Sequence, residues 1–366
     1  MKLDDRYQTQ TVREMIREAR SVRLKSFLGL ILCALVIAWS FMPLSAQSIE
    51  KLYSQGFYPQ LSRFLVPLSE QVPLNLSLML LLFILLMNVL ALFRRLRQRR
   101  LGLWLSHLLL TLGILGISFM LFWGTNYKRQ SLSSHLKLDE AAISSQELDS
   151  LAEALLGILH REANTSRDVD SALAANRLAM ERLLRELNLQ DIPQLPQSVK
   201  EVPSGLLLRF ANSSGVMMPW LLEANVDAAL PVASFVHVAS HELAHSAGFA
   251  PEADAELLAS LAGFNSGNGF ARYAAALASF QDVSAALSEA KREKYLAELP
   301  SIAKDDWNAL IAISQKYAAP PWLASTQRQL YDGYLRSQGV SNGIANYSDS
   351  LKLLVAAKRQ NWLDLE

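Results

Sequence analysis

Residues 231–261 read PVASFVHVASHELAHSAGFAPEADAELLASL. Pro231 suits the first turn of a helix, where its missing N–H is no loss, and Gly248 suits the C-terminal end. Most positions between them are apolar, among them Val232, Phe235, Val236, Val238, Ala239, Leu243, Ala244 and Ala247. Into that background are set His237, His241, Glu242 and His245. The rings of His241 and His245, one turn apart, leave the same helix face and reach a shared ion at a Zn–N distance of about 2.0–2.1 Å. Glu242 sits one position round, where a carboxylate can take a proton from water at the metal without ligating it. Two imidazoles and a carboxylate are costly in apolar surroundings unless partnered. The His-Glu-x-x-His spacing alone arises by chance in on the order of 1% of chains this long. Here an apolar helix, an immediate stop and a following acidic cluster add to it. These residues point to one Zn2+ per chain, held by His241 and His245, with Glu242 as catalytic base.

A third ligand is expected from the acidic cluster: Glu252, Asp254 or Glu256. Gly248 lets the chain turn sharply, and Pro251 can open the next helix with Glu252 in its first turn. Glu252 and Glu256 are again one turn apart and share a face. Glu252 is therefore the preferred ligand, with Glu256 orienting a histidine ring. Asp254 faces away from that pair on a regular helix and is the alternative. The helix dipole favours acids in a first turn in any case. His237 lies one turn before His241 on the same face. It can support the site or contact substrate, although packing is the commoner use of such a histidine.

The chain has 366 residues, room for about two domains. Its apolar excess lies in three runs before residue 125, about Ser26–Met42, Val72–Phe93 and Leu101–Trp123. Each approaches the ~20 residues a helix needs to cross ~30 Å of hydrocarbon, where the backbone must bond within its own segment. Net charge divides at the same place. Residues 1–124 carry 14 Lys/Arg and 6 Asp/Glu, or +8, and the remainder carries 21 and 28, or −7. Positive charge beside spans marks cytoplasmic loops, so the basic half calls for no nucleic acid as partner. Seven Lys/Arg lie in residues 1–25 and five arginines in Arg94–Arg100, against only Lys51 and Arg63 in residues 44–71. The expected protein is a multi-pass protein of the cytoplasmic (inner) membrane, with its N-terminus inside and everything after residue 124 outside. A 25-residue basic leader and the poor cleavage site Leu44-Ser45-Ala46 favour a retained anchor over a signal peptide. Cys33, the one cysteine, excludes a disulfide within the chain and a Cys-based zinc site.

The parts expected are a cytoplasmic segment at 1–25, a three-helix transmembrane region at 26–124 and an extracytoplasmic domain at 125–366. Within the last, 139–190 reads as two amphipathic helices, with stripes at Leu151, Leu155, Leu156, Leu159 and at Leu173, Leu178, Met180, Leu183, Leu184, Leu187. Residues 205–265 read as short strands (Gly205–Phe210, Gly215–Trp220, Leu221–Val226) leading into the histidine helix. Residues 266–366 read as C-terminal helices. The stretch Leu222–Val226 is expected either as a sheet edge open to an extended peptide or as a purely structural strand.

Four segments together resemble a family of bacterial membrane proteins, classed as a domain of unknown function and regarded as zinc-peptidase-like. They are Glu223–Asp227 with Leu230-Pro231, His241–Ala250, Arg272-Tyr273, and Tyr331–Tyr347. The likeness covers the spans loosely and residues of about 205–360 well. The chain departs where the family reads Glu-x-Glu-Ala-Asn, having Glu252-Ala253-Asp254-Ala255-Glu256; the first Glu is kept. This Glu-x-x-x-acid spacing is also similar to the third-ligand helix of thermolysin-like (gluzincin) peptidases, where the first Glu binds zinc and the later acid supports a histidine. The resemblance implies a mainly α chain: three N-terminal transmembrane helices followed by an α+β, zincin-like, mostly helical extracytoplasmic domain. It also implies Tyr273 and Tyr347 as candidate oxyanion donors and Asn225 as a candidate group beside the substrate.

The function expected is that of a membrane-anchored zinc metallopeptidase whose partners are the lipid bilayer and a peptide or protein substrate. Two histidines and one carboxylate leave a fourth position for water. The metal lowers the pKa of that water toward ~7, and Glu242 takes its proton as it attacks a carbonyl. The alternative is a catalytically inactive membrane protein with a structural metal or a peptide-binding site; Glu242 argues against it, since a structural zinc needs no base. A transporter would need charged groups lining a path through the spans; Asn75, Ser77 and Asn88 are too few and carry no charge.

Overall fold

The first apolar run continues the basic N-terminal segment in one helix, α1 (Lys2–Phe41). Next come a short α2 (Ala46–Ile49), a π-helical stretch (Glu50–Phe57) and α3 (Tyr58–Glu70). The other two runs form α4 (Leu76–Arg97) and α5 (Leu101–Phe122). Met15–Phe41 of α1, together with α4 and α5, are long and apolar enough to cross a membrane. This computed structural model describes residues 2–366 apart from 188, 190, 204–207, 209–212, 317, 319 and 338–345; side chains are described at the same positions except 2–12, 14, 331, 334, 335, 337 and 346–348.

Two compact units result, Met1–Pro43 with Leu76–Gly124, and Leu44–Asn75 with Thr125–Glu366. In the first, α1 and α5 approach closely at two glycines. A Cβ on Gly113 would come within 2.7 Å of the Leu32 Cβ, and one on Gly29 within 2.8 Å of the Leu110 backbone nitrogen. Helices in lipid lack a hydrophobic drive to associate, and such small-residue approaches supply the packing.

The second unit takes in residues 44–75, of which 44–71, expected as a loop between spans, is in fact largely helical. Tyr58, Ser62, Leu65, Val66 and Ser69 recur at helical spacing and are buried within this unit. Two prolines mask that pattern, but Pro59 falls in the first turn, where its missing N–H costs nothing.

Beyond the spans, α6 (Leu132–Leu136) precedes the two expected amphipathic helices. A capping box of Ser144 and Glu147 opens α7 (Ser145–Arg161), and Asp168 caps α8 (Val169–Glu186). Their stripes bury Leu151, Leu155, Leu159, Met180 and Leu184, while Leu178 is exposed. Three strands follow: β1 (Lys200–Val202), β2 (Gly215–Met218) and β3 (Glu223–Asp227). The expected strand at Gly205–Phe210 falls, apart from Leu208, outside the described residues. The remaining helices are α9 (Val232–Ser246), α10 (Glu252–Phe264), α11 (Gly269–Ala286), α12 (Glu289–Glu298), α13 (Ser301–Lys316), α14 (Pro321–Ser337) and α15 (Asn346–Arg359). The chain is thus mainly α, with three apolar helices and one small sheet.

Strand order is β1-β3-β2, with β1 parallel and β2 antiparallel to β3. Of the two expectations for Leu222–Val226, a sheet edge or a structural strand, this order overturns the edge. All five residues of β3 are buried and Asn225 and Val226 pair with both neighbours, so β3 is central and, among the described residues, β1 and β2 are the outer strands. Lys200 fixes this layer to α3: its ammonium donates to the Ser69 carbonyl (3.0 Å) and the Glu223 carboxylate (2.5 Å).

A second buried ion pair joins the two stretches that flank the spans. Arg129 donates from Nε to Glu50 Oε2 (3.0 Å) and from Nη2 to Oε1 (2.6 Å), with side chains 2% and 4% exposed. Burial pushes the Glu50 carboxyl up, but hydrogen bonding from His135 and the Arg129 charge pull it further down, to about 2 against an ordinary 4.5. Its contribution to stability is therefore complete above pH 4.5 and is lost as pH falls toward 2. Arg129→Met leaves Glu50 buried without its cation and is expected to cost about 3–5 kcal/mol. Thermal unfolding of the detergent-solubilised protein checks this, and an unchanged Tm at neutral pH would make the pair dispensable.

Candidate metal centre

Helix α9 lies between the sheet and a layer of α8, α10 and α11, so nearly every face of it is buried. That explains its apolar sequence and makes its three histidines and one glutamate conspicuous. Pro231 stands at the N-cap. At the other end the backbone turns through Gly248, whose φ of +86° suits glycine alone. A Cβ there would also press on Arg129, Asn126 and Tyr58 at 3.1–3.2 Å. Pro251 then caps α10 and returns Glu252, the first residue of that helix, to the face of α9 carrying the histidines.

The outcome is a convergence of three atoms. His241 Nε2 lies 3.0 Å and His245 Nε2 3.5 Å from Glu252 Oε2. All three ligand atoms lie within 4.8 Å of one another. Ligands at about 2.05 Å in a tetrahedron stand about 3.3 Å apart, so the two contacts to Glu252 bracket that edge length. The rings meet nearly edge to face, with centroids 4.7 Å apart.

The opposite nitrogens have acceptors of their own. His245 Nδ1 is 2.8 Å from the Phe249 carbonyl, which can only accept, so Nδ1 carries the proton. His241 Nδ1 donates to Glu256 Oε2 at 3.0 Å. Both Nε2 atoms are thereby turned to the common point, as histidine ligands require. Glu256 also takes His237 through its other oxygen, at 2.6 Å from Nε2. Burial alone pushes His241 down, but the carboxylates of Glu252 and Glu256 on either side hold its pKa well above the usual range. Burial likewise pushes Glu252 up, and the His245 and His241 rings hold it well below. The common point on the Nε2 side is thus faced by two imidazole nitrogens and one carboxylate oxygen.

Glu242 is placed differently. Its side chain is buried, a backbone hydrogen bond from Met217 reaches the carboxylate, and Oε2 has no partner among the described residues. Burial raises its pKa to about 7, the His245 and His241 charges opposing. Gly215 opens the space it occupies: a Cβ there would stand 2.5 Å from Glu242 Oε1. Neither Gly215 nor Met217 is visible as a site residue from the histidine motif. The one sequence signal is a glycine opening a strand, a frequent mark of close approach.

The remaining candidates have other partners. Asp254, the alternative third ligand, points away: its Oδ1 accepts the Leu132 N–H at 3.1 Å, and burial raises its pKa to about 7. Asn225 is buried and donates to the carbonyls of Val216 and Glu223, stapling β2 to β3. The Tyr273 hydroxyl donates to Asp306 at 2.7 Å, and Arg167 grips the same carboxylate with two bonds. The side chain of Tyr347 lies outside the described residues. Beside His237 a cavity of about 160 Å³ opens, walled by Leu230, Ser234, Leu277, Ala278 and Leu310. A cavity of about 150 Å³ holds a benzene-sized guest, so this one suits an apolar side chain.

Neither the curated proteins nor the solved structures yield a match to this chain. A family model does: residues 53–355, which take in α4, α5, the sheet and both site helices, match the family described as Protein of unknown function (DUF3810), and the chain belongs to it.

Proposed function

We propose that this chain is a membrane-anchored, zinc-dependent metallopeptidase, its metal held by His241, His245 and Glu252, with Glu242 as general base. The observation carrying the proposal is the paired orientation of the histidines. Each Nδ1 is engaged by an acceptor, and each Nε2 faces Glu252 Oε2. The donor set of two imidazoles and one carboxylate fits a catalytic zinc, which keeps a position open, better than a closed structural one. Beside it lies a buried carboxylate with an unpartnered oxygen, which a structural site has no use for.

A bound zinc ion supplies Lewis acidity, polarising a substrate carbonyl and acidifying water. The chain's own residues do the rest. Glu242 receives the proton of the attacking water at its free Oε2 and delivers it to the leaving amine. Met217 and Gly215 hold that carboxylate in place. Glu256 fixes the His241 ring, and the Phe249 carbonyl fixes that of His245. Among the described residues β2 is an outer strand, whose far edge offers an extended peptide backbone partners, and the cavity beside His237 offers its side chain an apolar seat. Purified protein is expected to cleave an unstructured protein substrate, to stop when chelated and to resume on adding zinc. Tight zinc binding without cleavage of any substrate would instead favour the inactive, metal-binding alternative.

The proposed orientation is that of the charge pattern, with the N-terminus and Arg94–Arg100 in the cytoplasm and the site outside. A periplasm-active reporter fused after residue 130 is expected to be active. Activity of a cytoplasm-only reporter at that position would invert the topology.

A further inference from the structure

Helix α3 is divided lengthwise into three faces. Tyr58, Ser62, Leu65 and Ser69 form one, buried within the second unit. Gln60 and Arg63 belong to another, and both bond to Asp191. The third carries Leu61, Phe64 and Leu68, continued backward by the N-cap residue Phe57, at the i, i+4, i+7, i+11 spacing of a helix stripe. Phe64 is 70% and Phe57 46% exposed, Leu68 45%, and Leu52 in the preceding π-helical stretch 72%. A stripe of large apolar side chains left uncovered marks a contact surface.

Chain connectivity says what meets it. The segment holding α3 runs directly from one candidate span into the next, Phe41 closing α1 and Leu76 opening α4. Only residues 71–75 separate α3 from α4, a stretch that reaches at most about 18 Å when fully extended. Bonds shorten the tether further: Lys200 donates to the Leu74 carbonyl (2.7 Å) and Asn75 to the Glu201 carbonyl (3.1 Å). A helix on so short a lead from a membrane span lies at the bilayer surface, where apolar stripes sink about 5–10 Å into the headgroup and acyl boundary. We infer that the Phe57, Leu61, Phe64, Leu68 face of α3 is a lipid-docking surface, seating the second unit on the bilayer interface.

This placement bears on the metal centre without depending on its chemistry. The Tyr58 hydroxyl, on the buried face of α3, donates to the Ser246 carbonyl (2.8 Å), the residue after His245. The end of the histidine helix is therefore about one helix diameter, 10–12 Å, from the lipid-facing stripe. A substrate reaching the site would do so close to the membrane surface.

The test is spin-label accessibility on the full chain in phosphatidylcholine nanodiscs. A Cys33→Ser background carries a single label at Phe64→Cys, Leu68→Cys or the exposed loop position Ala142→Cys. Labels at 64 and 68 are expected to collide with lipid-soluble oxygen several-fold more often, relative to a water-soluble nickel chelate, than the label at 142. Nickel accessibility at 64 and 68 equal to that at 142 would mean the stripe faces water, and the inference fails. Low accessibility to both reagents would mean that protein covers the stripe, and the inference fails equally. Neither outcome touches the zinc proposal, which is read from metal content and cleavage.

Discussion

Zinc is expected to fall from about one ion per chain to near zero in His245→Ala, and to an intermediate level in Glu256→Gln. The first change removes a nitrogen donor outright and leaves His241 and Glu252, a pair that cannot hold a hydrated ion against dialysis. The second removes no donor. Glu256 pulls on the Nδ1 proton of His241 and on His237 at once, so a neutral amide there lowers the basicity of Nε2 and frees the ring to rotate. Loss of such a supporting partner typically costs about 10–100-fold in metal affinity. Asp254→Asn should keep the wild-type level, because that side chain accepts from Leu132 and takes no part in the convergence. Metal analysis after equilibration against buffered zinc gives the order. If Asp254→Asn loses the metal while Glu256→Gln keeps it, the ligand set drawn here is wrong.

That ordering could be drawn from sequence because the proposed ligand set is local. His241, His245, Glu252 and Glu256 occupy two consecutive helices joined by a glycine turn, and helical phasing decides which side chains share a face. The same phasing set Asp254 aside. The three long apolar helices were legible for a similar reason, since an apolar run near twenty residues admits few structures. What stayed hidden is non-local. Glu242 is placed by Gly215 and Met217 from another strand, and no spacing rule links residues so far apart in the chain. The choice between edge and structural strand for Leu222–Val226 stayed open because β1 has only three residues, too few to register as a strand. The helix over Tyr58–Glu70 contains two prolines, Pro59 and Pro67, and its buried stripe is recognisable only once the surfaces it packs against exist. The tyrosine expectations met a similar limit: the hydroxyl of Tyr273 is held by Asp306, far along the chain, within an arginine-carboxylate cluster.

Glu242→Gln is the substitution with the sharpest expected split between readouts. The amide has the carboxylate's shape, so the Met217 bond and the space left by Gly215 remain usable, and the metal ligands are untouched. Zinc content should stay at the wild-type level. Cleavage should fall by about 10²–10⁴-fold, the usual contribution of a positioned general base. Stability should move the other way, or not at all. A buried carboxylate with an unpartnered oxygen is a cost to the fold, and a neutral amide removes the charged part of that cost. A residue kept for packing would behave in the reverse sense, losing stability and sparing whatever activity exists. A Tm equal to or above wild type, with full metal occupancy and lost turnover, is therefore the signature of a catalytic base. Retained turnover would remove Glu242 from that role, and metal lost together with activity would make it a structural prop of the site.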